Sequence, residues 1–170
     1  MARGISKACG SCYKVLRPNL TTHNNYQWTI DKWFGPLDGK GKLCSASWFH
    51  VYETLELAVL HNPIHANYNP LVLYEAEFRG LHLREGYMKM GVTELRLETE
   101  LKAPEYSTEQ RVYYSILAAL EVFNNAAFGA WAHRWIDGSD RTEQAASRAA
   151  AADAAWAAAA AADAAWAAAA

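Results

Sequence analysis

Basic residues are not in excess in this sequence: 16 lysines and arginines stand against 18 aspartates and glutamates, a formal net charge of −2. With no basic cluster there is no electrostatic footprint for a phosphate backbone or an anionic bilayer, which excludes nucleic acid as the principal ligand. The opening MARGISKACGSCYK lacks the apolar run of a signal peptide, so export by that route is not expected. Strongly apolar runs long enough to span a bilayer are missing as well. The alanine-rich end has the length, but alanine is weakly hydrophobic and Asp153 and Asp163 are costly in lipid, so no membrane partner is expected. Cysteine is scarce, and an odd count of 3 without a secretion signal argues against a disulfide framework. Proline and glycine thin out sharply after Pro104, where only Gly129 and Gly138 remain.

What is present changes character at that same point. Before it, short β-prone runs are broken by turn residues: Cys12 to Arg17, Tyr26 to Ile30, Lys42 to Trp48 and Leu71 to Phe78 read as strands. A short helix is expected from about Tyr52 to Leu60, and His61-Asn62-Pro63-Ile64-His65 reads as a turn with exposed imidazoles. In ELRLETEL the charged Glu94, Arg96, Glu98 and Glu100 alternate with Leu95, Leu97, Thr99 and Leu101, the pattern of a half-buried strand. Ser107 and Gln110 form a capping-box pair that opens a helix. Its apolar face continues through Tyr113, Ile116, Leu117, Leu120, Phe123, Ala127 and Phe128 to Trp131 and Trp135, and ends at Gly138 as a left-handed cap. The expectation is an α+β fold: a small, mostly antiparallel β domain with one short helix over residues 1–103, followed by two long C-terminal helices, a packed amphipathic one over 104–138 and an alanine-rich tail over 139–170.

The tail repeats AADAAWAAAA twice. Only strong helix formers occur from Arg141 onward, so local propensity favours helix. Trp156 and Trp166 are its only large side chains and lie on overlapping, offset sides of the rod. They are candidate interface residues together with Trp131 and Trp135, which points to a homo-oligomer or a larger protein assembly; a tail folded back on the preceding helix is the competing structural reading.

Other constellations bear on chemistry. Cys9 and Cys12 have zinc-knuckle spacing, and Cys44 with His50 could complete a three-cysteine, one-histidine tetrahedron, but a single C-x-x-C without a second pair leaves reduced structural thiols as the ruling reading. Arg17, Ser45, Ser47, Glu98 and Glu100, with Glu75 and Glu77 as a second E-x-E pair, supply an arginine, a serine-x-serine and a glutamate on successive strands.

The segments CYKVLRPN, GKGKLCSASWFHVYETLELAVLHNP and LVLYEAEFRG, with the alanine-rich tail, resemble an uncharacterised domain of phages and prophages. That resemblance implies a viral or mobile-element origin, residence in the host cytoplasm or a virion, and no established chemistry. In this chain Trp48 stands where that family has a glycine before its phenylalanine. The arginine, serine and glutamate set resembles that of ADP-ribosyltransferases; this resemblance implies NAD as cofactor, Arg17 on its phosphates, Ser45 at the nicotinamide and the glutamate facing the oxocarbenium-like transition state. The leading expectation is a non-catalytic structural or interaction protein without a cofactor. The alternatives are an ADP-ribosyltransferase-like enzyme, and an accessory protein that sequesters a small molecule or a host protein.

Overall fold

A computed structural model of the protein describes residues 5–85 and 89–149. The chain forms two compact units, Met1–Tyr106 and Ser107–Ala170.

The first unit is built on a five-stranded antiparallel sheet in the order β1 (Ser6–Leu16), β4 (Val72–Glu85), β5 (Lys89–Leu101), β2 (Trp33–Phe34), with β3 (Phe49–Val51) also pairing β5. Immediately after β3 the chain meets β1 again: Tyr13 and Tyr52 exchange backbone bonds, each N–H donating to the other's carbonyl at 2.8 and 2.9 Å. This bridge curls the sheet into a ring, β1-β4-β5-β3. Alternation then sorts the side chains. Cys12 and Leu16 of β1 point inward to join Phe49, Val51, Ala76, Phe78, Val92, Leu95 and Leu97 in the interior cluster. Tyr13 and Val15 point outward and pack with Tyr52, Tyr68 and Leu73 against helix α1 (Leu55–His65). Residues 17–28 fold over the ring and place Trp28 inside it, 2% exposed, with its indole N–H donating to Thr22 Oγ1 at 3.0 Å.

Two bulges bend the long strands. In one, β4 carries an extra residue between Arg79 and His82. Gly80 adopts φ +88 there, and a Cβ would meet Thr93 Oγ1 at 2.6 Å. The other leaves Glu98 unpaired in β5 between Leu97 and Thr99. Outside the ring, Glu77, Arg96 and Glu98 form an ion-pair chain, and Arg79 lies over the Trp33 ring while pairing with Glu94.

The second unit overturns the expected pair of long C-terminal helices. The amphipathic pattern over 107–136 is cut in two: α2 (Thr108–Val122) ends, Phe123 takes extended angles, and α3 (Ala126–Asp137) begins afresh. The reason is a second N-cap inside the run. Asn125 Oδ1 accepts from Phe128 N–H at 3.0 Å, satisfying a donor that the chain would otherwise have to bond by continuing the first helix. The capping box of Ser107 and Gln110 and the left-handed Gly138 cap, with φ +82, are both present. Residues 143–149 are again helical, started by Thr142, whose Oγ1 accepts from Ala145 N–H. The repeat with Trp156 and Trp166 lies outside the described residues. No helix among the described residues is long and apolar enough to cross a membrane.

Other local expectations also shift. Tyr26 to Ile30 and Lys42 to Trp48 are loops rather than strands, contributing isolated bridges at Gln27 and Ile30. His61 to His65 belong to α1, with Pro63 inside the helix and His61 and Asn62 buried. Asn62 explains the departure: its side chain donates to Tyr68 O and accepts from Tyr68 N–H, clipping the next loop back onto the helix.

The two glycine environments give a paired test of the packing. At Gly91, between Leu43 and Trp48, a Cβ would meet Leu43 Cδ1 at 2.3 Å, whereas at Gly129 in α3 it would meet nothing within 4 Å. Gly91→Ala should lower stability by about 1–3 kcal/mol through overpacking. Gly129→Ala should raise it by about 0.5–1 kcal/mol through helix propensity. Urea midpoints measure both, and equal shifts would contradict this packing.

Candidate functional site

The ladder between β1 and β3 stops after one rung. With Tyr13 opposite Tyr52, the next hydrogen-bonded antiparallel pair would be Val15 and His50, but among the described residues β3 has its ladder with β5. Lys14 spans the gap instead. Its Nζ donates to the His50 carbonyl at 2.7 Å and lies 4.9 Å from the centre of the Trp28 ring. A side-chain amine thus occupies the place of a strand donor.

Along this split lies a cavity of about 370 Å³. Its walls are largely aromatic: Trp28 and Phe49 from the ring interior, the exposed Tyr26 from the loop folded over it, Trp48 from the loop before β3, and Tyr52 and Tyr68 from the α1 side. Polar groups are few. Lys14, His23, His50 and His65 line it with Thr22, Asn24 and Ser45, and no Asp or Glu among the described residues does so.

Burial sets the protonation of these groups. It brings the Lys14 amine down from its ordinary range to about 8, and no carboxylate pairs with that amine among the described residues. Burial also pushes the neighbouring Cys12 thiol up to about 12, so it stays protonated. His50 is lowered to about 4, chiefly by burial, with Lys14 and Lys89 acting in the same direction against the bond from its Nε2–H to Leu43 O at 2.6 Å. His65 falls to about 3 through burial and then through Lys89, and its Nδ1 shares a 3.3 Å bond with the Tyr52 hydroxyl. His61 is lowered too, by burial. Its ring stacks on that of His65, which in turn lies 5.1 Å from that of His50. At neutral pH the wall therefore carries neutral imidazoles at His50 and His65 beside one amine. Trp48 adds a buried indole N–H with no acceptor among the described residues.

The described residues singled out in the sequence have the following partners in this fold. The Arg17 guanidinium donates to Thr22 O at 2.7 Å and lies 4.6 Å from the centre of the Tyr68 ring. Ser45 lines the cavity, whereas Ser47 does not. The bulge at Glu98 breaks the alternation of the E-x-E pair: Glu98 joins Arg96 outside the ring, while Glu100 accepts from the hydroxyl of Tyr74, an interior residue. Glu75 accepts from Ser11, and Glu77 pairs with Arg96. For the metal set, Cys9 and Cys12 are three residues apart in one strand and so face opposite sides, exposed and buried. Cys44 accepts from Lys89 Nζ at 2.8 Å. No three His, Cys, Asp or Glu side chains among the described residues are placed to share a metal ion. Trp131 and Trp135 are half-buried in α3, the first beside Phe128 and the second under the Arg141 guanidinium.

The chain matches no protein-family model, no curated protein and no solved structure.

Lys14 is the functional candidate that motif spacing passes over. Its signal was nevertheless in the strand: in CYKVL, Lys14 alternates with Cys12 and Leu16, so any register that buries those two also buries the lysine.

The imidazoles make stability pH-dependent. An unfolded histidine takes its proton near pH 6.5, whereas His50 and His65 resist protonation down to about 4 and 3. Between those limits the unfolded chain binds more protons, so stability present above pH 6.5 is lost on acidification. From pH 7 to 5, before most carboxylates titrate, unfolding free energy should drop by about 2 kcal/mol per imidazole. His65→Leu should flatten the slope of urea midpoint against pH; an unchanged slope would remove His65 from this account.

Proposed function

We propose that the first unit is a small-molecule-binding module, the sequestering alternative among the readings of the sequence. One observation carries it: the split seam holds a cavity walled by aromatic rings, into which a buried amine without a carboxylate partner is built. Apolar walls bring the binding energy and a few placed polar groups bring orientation. A bicyclic aromatic losing ~200 Å² of apolar surface gains about 5 kcal/mol, comparable to the least cost of association, so shape alone gives weak binding and the polar groups decide affinity. Titration with neutral planar probes, indole, 2-naphthol and coumarin, should produce saturable NMR shifts at Val15, Phe49 and Tyr68, and Ala46→Trp should block them. Shifts spread over the surface without saturation would defeat the reading.

We infer a separate role for the second unit, self-association with a second copy. Tyr113 and Leu117, one turn apart on α2, are exposed at 40% and 42%, while Ile116 between them is buried. Such an apolar pair on one helix face can meet its own copy across a two-fold axis. Light scattering should give a mass above that of one chain for the full-length protein, and Tyr113→Ser with Leu117→Ser should reduce it to one chain. A mass unaffected by the double substitution would exclude this face.

A further inference from the structure

The chemistry of the cavity wall narrows what can occupy it; this step rests on the binding reading above. Lys14 is only 6% exposed, yet it lines the cavity. One of its protons goes to the His50 carbonyl, and the amine lies near the Trp28 ring. Two donors remain for a ligand. The titratable groups around it come from every side: the Cys12 thiol on its own strand, the imidazoles of His50, His23 and His65, and the phenols of Tyr26, Tyr52 and Tyr68. None of these is a carboxylate.

A buried ammonium without a counterion is costly unless it loses its proton or gains an anion. The number of cations then limits the charge of that anion. Arg17, the nearby guanidinium, is engaged by Thr22 O and the Tyr68 ring. His50 and His65 are kept neutral by burial. Among the described residues Lys14 is therefore the one cation lining the cavity, with Lys89 acting on His50 and His65 from outside the lining while bonded to Cys44; one lining cation suits a single negative charge better than a phosphate dianion.

We propose that the cavity takes a planar aromatic monocarboxylate, its carboxylate paired with the Lys14 ammonium and its ring held among the aromatic walls. Pairing stabilises the protonated amine, so the Lys14 pKa rises in the complex. Between the carboxylic-acid range and about pH 8, where the ligand is an anion and free Lys14 is already charged, affinity is then constant, and it falls as pH rises above that because binding must take up a proton.

The test uses 2-naphthoate against its neutral isostere 2-naphthamide, by calorimetry on the full chain. Naphthoate should bind about tenfold or more tightly than naphthamide at pH 7, with the gap closing by pH 10. Lys14→Met should remove the preference while leaving naphthamide binding in place; should that variant not fold, the pH titration of the unaltered protein decides alone. Equal binding of acid and amide at pH 7 would overturn the monocarboxylate assignment and leave the binding reading standing. Tighter binding of 2-naphthyl phosphate than of naphthoate would overturn the single-cation argument. Failure of all these probes to bind would overturn both this assignment and the binding reading.

Discussion

The bond from Lys14 Nζ to the His50 carbonyl, across a seam where two strands have ceased to pair, is the contact on which the first unit turns. Elsewhere in the ring, backbone ladders set the spacing. Here the ladder has one bridge, Tyr13 with Tyr52, and beyond it the strands diverge. A continued ladder would have closed the ring and filled the space with main chain. A lysine stem with an amine at its end satisfies the exposed carbonyl without closing the gap, which leaves an opening between the interior cluster and the α1 face.

The surroundings of that bond are tuned to one electrostatic condition. Strand alternation brings Lys14 inward between Cys12 and Leu16, and the loop over residues 17–28 lowers Trp28 onto it. Behind the seam α1 sets His61 and His65 beside His50 of β3, and its end is fastened by the two bonds between Asn62 and Tyr68. Burial keeps His50 and His65 uncharged, so they add donors and acceptors to the wall without adding charge. Glu77 and Glu98 are engaged outside the ring through Arg96, and Glu100 accepts from the Tyr74 hydroxyl. This division of charge isolates the amine.

Local signals were legible where a few adjacent residues decide the outcome. Ser107 with Gln110 is a complete capping box, and Gly138 needs its positive φ because the chain reverses there. Long-range competition was not legible. A three-and-four apolar pattern runs unbroken across Asn125, and only the cap formed by its side chain shows that a new helix begins. The alternation in ELRLETEL holds until Glu98, where an unpaired residue shifts the phase, a property of pairing with β4 that β5 alone does not encode. His61 and His65 looked like a turn because Pro63 ordinarily ends a helix, while the clip from Asn62 to Tyr68 is visible only once the loop is folded. The candidate site divides the same way. Lys14 was readable from period two, but its partners come from an isolated bridge, a loop and the end of a helix, distant in sequence and joined by topology.

In a continuous sheet the distance between neighbours is quantised by backbone geometry, and substitutions alter what decorates the surface without altering the spacing. Across the β1–β3 seam the gauge is a flexible side chain of four methylenes. The aperture is consequently a heritable variable: single-codon changes at position 14 can widen, narrow or neutralise the opening while the remaining strands keep their register.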